Sequence, residues 1–393
     1  MMFSGKVLGI QESFLNKWDS DVKYKIAEGK SVLQFNLGQP DFACPEFVKE
    51  AIKIVNGKDK NNFYNHTGGT DKLRFLLADL QKKTFGLEYN KEEVIVTNGA
   101  KEALFLAFAA ILNGNDEVIV VAPHWPTYVE QVKFFGGLPV VVDITNNFGL
   151  NIEAIKKAVN ENTKAIVINN PNNPVGMIYG REDIGEIVEL AEKHNLIIIS
   201  DEVYNSTVFD GKKHISVADF PGAKERAIVI DGFSKTLSMT GYRLGFAFSS
   251  REIIDNMIKV KSNINGNTNS FFQMVVEEVL ANHFEDYLRF VDMAKGEYLK
   301  RRDFLCESLD GMKMEYKKPE GTFYLFAKIP KGFDMGSREF VESLLEKTGI
   351  AVAPGIFFGK SFDNYFRISF GTSMEDIVEG VKRMKKFLEE TRH

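Results

Sequence analysis

The stretch IVIDGFSKTLSMTGYRLGFAFSS, residues 228–250, contains two apolar runs separated by a short segment of small, hydroxyl-bearing and charged residues. Unbroken apolar runs of this length are typical of strands that are buried on both faces. The segment between them is hardly long enough for a crossover helix, so we expect the second strand to run antiparallel. The segment also contains a lysine, Lys235, and an arginine, Arg243. Taken alone, such a lysine is most simply a surface residue.

Similar apolar runs occur throughout the preceding part of the chain. The full set is EVIV (93–96), EVIVV (117–121), PVVV (139–142), AIVIN (165–169), LIIIS (196–200), AIVID (227–231) and LGFAFS (244–249). Helix-like segments at 100–112, 152–159 and 183–195 separate several of these runs. Strands that alternate with helices predict an α/β fold, here with a large domain built on a seven-stranded, mostly parallel sheet.

The sequence changes character after about residue 251. Long charged helical stretches at 277–304, 338–348 and 374–390 surround strand-like runs at 322–327 and 366–370. This pattern predicts a second, smaller α+β domain. We therefore divide the chain into a large domain, 46–280, and a small C-terminal domain, 281–393. The N-terminal segment, 1–45, is compatible with either domain by its sequence, and we assign it to the small one.

The composition favours a cytoplasmic globular protein. The 393 residues are 44% hydrophobic and carry a net charge of −5, with no long basic run, which argues against binding to nucleic acid or to anionic membranes. Two cysteines, Cys44 and Cys306, cannot form a disulfide framework and fit a reducing compartment. The longest apolar run, 103–112, is too short to span a bilayer, and the first residues do not resemble a secretory signal.

Three familiar motifs can be set aside. GIFFGKS, 355–361, resembles a nucleotide-binding P-loop, but it has one residue too few between its glycines. No G-x-G-x-x-G follows any predicted strand, so a dinucleotide site has no support. The histidines are scattered without an H-E-x-x-H pair, and we predict no metal site.

Polar side chains follow several of the predicted strands at the points where the strands end. SDEVY, 200–204, places Asp201 and Tyr204 after a buried strand, and NNPNNPVG, 169–176, places Asn173 on a proline-braced loop. In open α/β sheets, ligands bind beyond the carboxyl ends of the strands. A buried carboxylate such as that of Asp201 also needs a partner, because burial of an unpaired charge is costly.

Two further strand ends supply an anion site and a flat surface. TNGAKEAL, 97–104, places Gly99, Ala100 and Lys101 where a strand gives way to a helix, and free N–H groups at a helix start bind anions. PHWPTY, 123–128, presents Trp125, an indole that can stack on a planar ring. Arg243 adds a permanent positive charge.

Together these groups match the requirements of pyridoxal 5′-phosphate (PLP). A lysine amine holds its aldehyde as a Schiff base, and a carboxylate keeps the ring nitrogen protonated. Amide and phenol groups hydrogen-bond the ring oxygen, an aromatic side chain stacks on the ring, and a helix start with an arginine binds the phosphate. Singly, Trp125, Asn173 and Arg367 have ordinary structural explanations, but the combination favours a PLP site.

At this point the chain resembles the class I/II aminotransferases, which are fold-type-I PLP enzymes, and within them the prokaryotic aspartate and aromatic transaminases. The resemblance covers nearly the whole chain in order. It rests on LGQPDF (37–42), FYNHTGGTDKLR (63–74), NPNNPVG (170–176), SDEVY, FSKTLSMTGYRLG (233–245), PEGTFYLF (319–326) and YFRISFG (365–371).

The resemblance implies a role for each matching residue. Lys235 would form the Schiff base and act as general base and acid, with Asp201 at the ring nitrogen. Asn173 and Tyr204 would bond the ring oxygen, with Trp125 stacked on the ring. The phosphate would be surrounded by Gly99, Ala100, Lys101 and Arg243, and by Tyr64 of a neighbouring subunit in a homodimer, with Ser234 as a further cofactor-binding candidate. Gly38, Trp125, Asn173 and Arg367 would contact the substrate, with Arg367 on its α-carboxylate.

One position departs from the family, and other reactions stay open. Many relatives carry serine where this chain has Gly232, so one phosphate contact has to come from Ser234 or the main chain, or is absent. The resemblance implies transfer of an amino group from an L-amino acid, first aspartate or glutamate, to a 2-oxo acid such as 2-oxoglutarate by a ping-pong mechanism. A carbon–sulfur β-lyase of the same fold is the alternative, and so is an aromatic or neutral amino acid aminotransferase.

Overall fold

A computed structural model describes residues 3–391. The helices are α1 (Gly5–Leu8), α2 (Phe14–Ala27), α3 (Glu46–Asn56), α4 (Asp71–Phe85), α5 (Ala100–Ile111), α6 (Thr127–Phe134), α7 (Ile152–Ala158), α8 (Arg181–Lys193), α9 (Phe233–Thr236), α10 (Arg251–Ser262), α11 (Ser270–Asn282), α12 (Phe284–Gly311), α13 (Ser337–Thr348) and α14 (Met374–Thr391). The strands are β1 (Leu33–Gln34), β2 (Val94–Thr97), β3 (Glu117–Ala122), β4 (Leu138–Asp143), β5 (Thr163–Asn169), β6 (Ile197–Asp201), β7 (Ala227–Gly232), β8 (Gly245–Phe248), β9 (Tyr324–Lys328), β10 (Ile350–Ala351), β11 (Ala353–Pro354) and β12 (Tyr365–Ser369).

The predicted large sheet is confirmed. Its seven strands lie in the order β2-β8-β7-β6-β5-β3-β4. Strand β8 runs antiparallel to both of its neighbours, and the remaining pairs are parallel. Alternate residues of the inner strands pack into different apolar clusters, for example Ile198 into one and Ile199 into the other. Both faces of the sheet are therefore covered, which is why its strands read as unbroken apolar runs.

The reversal of β8 follows from a very short connection. The connection from β7 to β8 spans residues 233–244 and holds only the four-residue helix α9 and a 3₁₀ turn, so the chain returns beside the strand it has just left. The two strands pair from Val229–Phe248 to Gly232–Gly245. A Cβ atom on Gly232 would lie 3.1 Å from the Cα of Gly245, so the close pairing favours glycine at this position.

The C-terminal part of the chain forms a separate three-stranded antiparallel sheet, β11-β12-β9. The N-terminal segment is attached to it: β1 pairs with β10, and the indole Nε1 of Trp18 donates to the carbonyl of Val352 at 2.8 Å. The same segment also contacts the large domain, where the N–H of Gln11 donates to Glu130 at 2.7 Å, so its assignment to the small domain stays a prediction. The domain boundaries themselves stay a prediction.

The predicted helix at 277–304 is wrong in one respect. Two helices, α11 and α12, meet there, and His283 between them has non-helical backbone angles of φ −129° and ψ 29°. The acidic residues Glu285 and Asp286 lie in the first turn of α12, where they favour a helix start. The sequence pattern treats these two acidic residues as part of the exposed face of one long helix, but they lie at the beginning of a second helix. Among residues 3–391, no helix is long and apolar enough to cross a membrane.

Candidate active site

Most of the predicted site residues line one cavity of about 370 Å³ beside the carboxyl ends of β5, β6 and β7. The predicted residues that line it are Gly38, Ala100, Lys101, Trp125, Asn173, Asp201, Tyr204, Ser234, Lys235, Arg243 and Arg367. Gly99 lies next to it, in contact with Arg243. Tyr64 is not among the lining residues, and its side chain is 98% exposed. The structure thus brings together residues that lie more than 300 positions apart in the chain.

Lys235 lies on α9, at the point where β7 ends. Its Nζ donates a hydrogen bond to the carbonyl oxygen of Gly38. Burial lowers the pKa of this amine to about 8, the positive charges of Arg367 and Arg243 also lower it, and the carboxylate of Asp201 opposes them. An amine with such a pKa becomes a free base, and hence a nucleophile, much nearer neutral pH than an ordinary lysine does.

Asp201 is the last residue of β6 and is 7% exposed. Its Oδ2 accepts a hydrogen bond from the hydroxyl of Tyr128 at 2.5 Å, and its Oδ1 accepts one from the N–H of Val203 at 3.4 Å. Burial raises the pKa of Asp201 to about 6, while the Tyr128 hydroxyl favours the ionised form. The carboxylate is therefore mostly negative at pH 7.

Arg367 is held on β12 by two uncharged partners. Its Nη1 donates to Oδ1 of Asn173 at 2.9 Å and its Nη2 donates to the carbonyl of Asn36 at 2.8 Å. The guanidinium lies 4.1 Å from the ring centre of Tyr324. Its Nε is buried and has no hydrogen-bond partner within residues 3–391, and burial lowers the pKa of the group. A buried cation whose partners are neutral and whose donors are not all used is suited to bind an anion.

Two tyrosines and a glycine form one wall of the cavity. The hydroxyls of Tyr204 and Tyr324 are 2.9 Å apart. A Cβ atom on Gly38 would lie 2.5 Å from the hydroxyl of Tyr324, so a larger residue here would displace the Tyr324 side chain. The sequence prediction missed Tyr128, Tyr324 and Asn36. Tyr128 and Tyr324 belong to the quoted motifs PHWPTY and PEGTFYLF, but nothing in those motifs showed which atoms they would contact.

The start of α5 provides the predicted anion site. Gly99 precedes the helix with φ 82°, and no side chain of the described residues caps the free N–H groups. A Cβ atom on Gly99 would lie 2.6 Å from Nη2 of Arg243, so the guanidinium stands directly against this helix end. Arg243 is itself fixed by a 2.9 Å hydrogen bond from Nη1 to the carbonyl of Thr240. Both features favour a bound phosphate or carboxylate.

A second cavity, of about 540 Å³, lies between the N-terminal segment and the rejected P-loop look-alike at 355–361. There the hydroxyl of Ser361 donates to Asp143 at 2.6 Å, and the segment forms two short 3₁₀ turns between β11 and β12. The buried lysine, carboxylate and guanidinium described above all line the smaller cavity, so we place the active site there.

Comparison with known proteins agrees with this architecture. A family model for "Aminotransferase class I and II" matches residues 30–384. A probable aspartate/prephenate aminotransferase of Aquifex aeolicus is 38% identical over 372 residues, or 93% of each chain. An aromatic-amino-acid aminotransferase of Thermococcus litoralis is 34% identical over 93% of this chain and 94% of its own length. The solved aspartate aminotransferase from Thermus thermophilus with maleate superimposes with a TM-score of 0.93, at 32% identity and over 98% of this chain and 99% of that chain.

The fold and the site therefore define an α/β enzyme of the fold-type-I class. The chain belongs to the class I and II aminotransferases, which transfer an amino group between an amino acid and an oxo acid. The resemblance found in the sequence is confirmed.

Proposed function

We propose that this chain is a PLP-dependent aminotransferase that transfers the amino group of an acidic L-amino acid, aspartate or glutamate, to a 2-oxo acid such as 2-oxoglutarate by a ping-pong mechanism. One observation carries the proposal. A lysine amine with a lowered pKa, a buried carboxylate and a buried guanidinium line a single cavity. These are Lys235, Asp201 and Arg367.

The cavity fits PLP in three respects. The uncapped start of α5 and Arg243 suit its phosphate. The buried carboxylate of Asp201 suits its ring nitrogen, and the indole of Trp125 lies in the cavity wall where it can cover the ring. When bound, PLP supplies a ring that takes up negative charge from the substrate Cα.

The residues of the chain perform the remaining tasks. Lys235 holds the cofactor and, once free, removes the proton from the substrate Cα, because its amine loses its own proton near pH 8. Asp201 is mostly ionised at pH 7 and would stabilise a proton on the ring nitrogen of the bound cofactor. Arg367 binds the α-carboxylate through donors that Asn173 and Asn36 leave unused. Tyr204 and Asn173, which line the cavity, would hold the ring oxygen.

Lys101 supports an acidic substrate. Its Nζ lies over the ring of Trp125 at 4.8 Å, in the cavity wall, where burial and the positive charge of Arg243 lower the pKa of the amine. Its backbone can bind the phosphate while its ammonium remains available to a second carboxylate on the substrate. The relatives named for aspartate point in the same direction, whereas another relative is named for aromatic amino acids.

The substitution Lys101→Met tests the choice of substrate. We expect kcat/KM for aspartate and glutamate to fall about 10- to 100-fold, since a charge-assisted hydrogen bond contributes roughly 1.5–3 kcal/mol. The values for phenylalanine and alanine should change little. A uniform loss over a panel of amino donors would instead place the Lys101 ammonium at the cofactor phosphate.

We also propose a homodimer in which Tyr64 reaches the active site of the partner. In the single chain, Tyr64 and its neighbour Phe63 are 98% and 68% exposed, and Ser270 ties this segment to α11 through a hydrogen bond to the Phe63 carbonyl at 2.9 Å. Two adjacent exposed aromatic side chains on an anchored segment are typical of an interface.

The substitution Lys235→Ala tests the proposal as a whole. Wild-type protein supplied with PLP should show a near-visible absorbance band, and borohydride should label the peptide that contains Lys235. The variant should lose both signals, and its turnover of aspartate with 2-oxoglutarate should fall by at least about 10³-fold. Lys193→Ala, at an exposed position on α8, is the control. Near-normal multiple turnover by the Lys235 variant would refute the assignment.

A further inference from the structure

The strands β6 and β7 separate immediately behind the catalytic cavity. Their parallel ladder ends with the pair Asp201–Ile230 and one further bond, from the N–H of Glu202 to the carbonyl of Ile230 at 2.8 Å. Beyond this point β6 turns into the loop that carries Tyr204, whereas β7 continues beside β8 and leads to Lys235. In the part of the chain that the structure describes, no backbone hydrogen bond of the ladder joins the two loops past Ile230.

A buried side-chain hydrogen bond closes this gap. Asn205, which follows Tyr204, donates from Nδ2 to Oδ2 of Asp231 at 2.7 Å. The other oxygen of Asp231, Oδ1, accepts the N–H of Gly232 at 2.6 Å. Asn205 is 5% exposed and Asp231 is 6% exposed. Neither side chain lines the cavity, so the proposed reaction does not use them directly.

The two partners lie at the bases of the two catalytic loops. The Asn205 N–H bonds to the carbonyl of Glu202 at 2.9 Å, which makes Asn205 part of the same turn as Tyr204. Gly232 immediately precedes α9, the helix that carries Lys235. The Asp231 carboxylate therefore connects the start of one loop to the start of the other.

We propose that Asp231 is a positioning residue that, with Asn205, holds the loop of Lys235 in register with the loop of Asp201 and Tyr204. The proposal rests on the proposed role of Lys235 at the active site. The negative form of Asp231 suits this task, because both of its neighbours are donors and a proton on either oxygen would face an N–H group. Hydrogen bonds to a buried carboxylate are also stronger than those between neutral groups.

The groups that face Asp231 from the described residues do not compete with Asn205 for it. Burial raises the pKa of Asp231 to about 7, the negative charge of Glu202 acts in the same direction, and the two hydrogen bonds and His214 oppose them. Glu202 is occupied by its own contacts with Ser200, Ser216 and His214, at 2.7, 3.0 and 2.7 Å. From α12, the buried phenol of Tyr287 faces the same carboxylate.

Exchange of the two residues tests the proposal. Asp231→Asn replaces the charged acceptor with an amide that satisfies both neighbours only if the Asn205 amide turns over, and Asn205→Asp places two carboxylates together. In the double variant, the new amide at position 231 would donate to the new carboxylate at position 205 and still accept the N–H of Gly232, so the connection is restored with reversed polarity. The readout is acetic anhydride labelling of Lys235 in the full-length protein without added PLP, quantified by peptide mass spectrometry across pH. This readout does not depend on catalysis, so it stays interpretable if the proposed reaction is wrong.

We expect the apparent pKa of Lys235 to rise by roughly half a unit or more in each single variant, because a displaced amine is better solvated. The double variant should return to the wild-type value, and the pH dependence of the absorbance band with PLP should follow the same order. The control, Asp363→Asn, alters a carboxylate that Ser337 bonds at 2.8 Å in the small domain and should change neither value. If Asp231→Asn does not fold, Asn205→Ala replaces it. Folded single variants with the wild-type pKa, or a double variant no better than the singles, would overturn the proposal.

Discussion

Burial and the hydrogen bond from Tyr128 act in opposite directions on the charge of the Asp201 carboxylate in the active site. Burial favours the neutral acid, and the 2.5 Å contact from the phenol opposes it. With a pKa of about 6, raised from 3.8, Asp201 loses its charge as the pH falls through 6. The ionised form, which the proposed contact with the ring nitrogen requires, is present above that pH.

Tyr128→Phe should therefore move the acid limb of the activity profile to higher pH. Loss of a hydrogen bond to a charged group is worth about 1.5–3 kcal/mol, which corresponds to roughly one or two pH units. The expected result is a large loss of kcat at pH 6.5 and a much smaller loss at pH 8.5. Tyr298→Phe is the control, because its buried hydroxyl has no hydrogen-bond partner among the described residues. Equal losses at both pH values would show that Tyr128 does not act through the charge of Asp201.

The sequence was sufficient to predict many of the residues that line the cavity, but not Tyr128, Tyr324 or Asn36, and not how the residues bond. Asp201, Lys235 and Asn173 each lie at or just after the end of a strand, so the fold alone brings them to one edge of the sheet. Tyr128 reaches Asp201 from α6, and Asn36 meets Arg367 across 331 residues. Such contacts depend on how separate elements pack, which local patterns do not specify.

At the scale of elements, the start of α5 depends on a close approach by β8. A Cβ atom on Gly245 would lie 2.3 Å from the backbone nitrogen of Ala100 and 2.4 Å from the carbonyl carbon of Gly99. No side chain fits there without movement of the helix end that forms the proposed phosphate site. Strand β8 can take this position only because the short connection through α9 returns it beside β7.

Gly245→Ala should consequently weaken cofactor binding as well as the fold. A clash with backbone atoms costs about 1–3 kcal/mol, so we expect a lower Tm and an affinity for PLP reduced by at least about tenfold. Gly296→Ala is the matched control, since Gly296 lies within α12 with open space around it and alanine favours a helix. If Gly245→Ala lowers Tm but leaves the affinity for PLP unchanged, Gly245 supports the stability of the fold and not the phosphate site.

The sequence predicted the buried strands of the large sheet correctly, but it did not predict where one C-terminal helix ends and the next begins. The seven apolar runs identified the strands of the large sheet, because strands covered on both faces require such runs. The break at His283 was not predicted, since Glu285 and Asp286 are equally compatible with the middle of an exposed helix. A helix start signal and an ordinary charged face are hard to distinguish in one sequence.

At the scale of the whole molecule, the proposed dimer predicts that two inactive variants can rescue each other. Lys235→Ala lacks the reactive amine, and Tyr64→Ala lacks the donated phenol. In a mixed dimer, the site with an intact Lys235 receives Tyr64 from the other chain. Refolding an equal mixture should therefore restore up to about a quarter of wild-type activity, since half of the dimers are mixed and each has one complete site.

The mixture is compared with each variant refolded alone, and its mass is measured by light scattering. Two copies of Lys235→Ala refolded together serve as the control for spontaneous recovery. A mixture no more active than its components, or a monomeric mass for active wild-type protein, would exclude a shared site.

The extended segment from Phe35 to Gly38 has a mechanical consequence. The N–H of Phe35 donates to the carbonyl of Ala351, and the carbonyl of Phe35 accepts the N–H of Ser369, at 2.8 Å each. Phe35 is therefore held to the small domain by its backbone. One residue later the carbonyl of Asn36 holds Arg367, and two residues beyond that the carbonyl of Gly38 holds Lys235. A movement of the C-terminal sheet would therefore displace both carbonyl groups. The position of the Arg367 guanidinium at the substrate carboxylate and the hydrogen bond to the Lys235 amine would then change together.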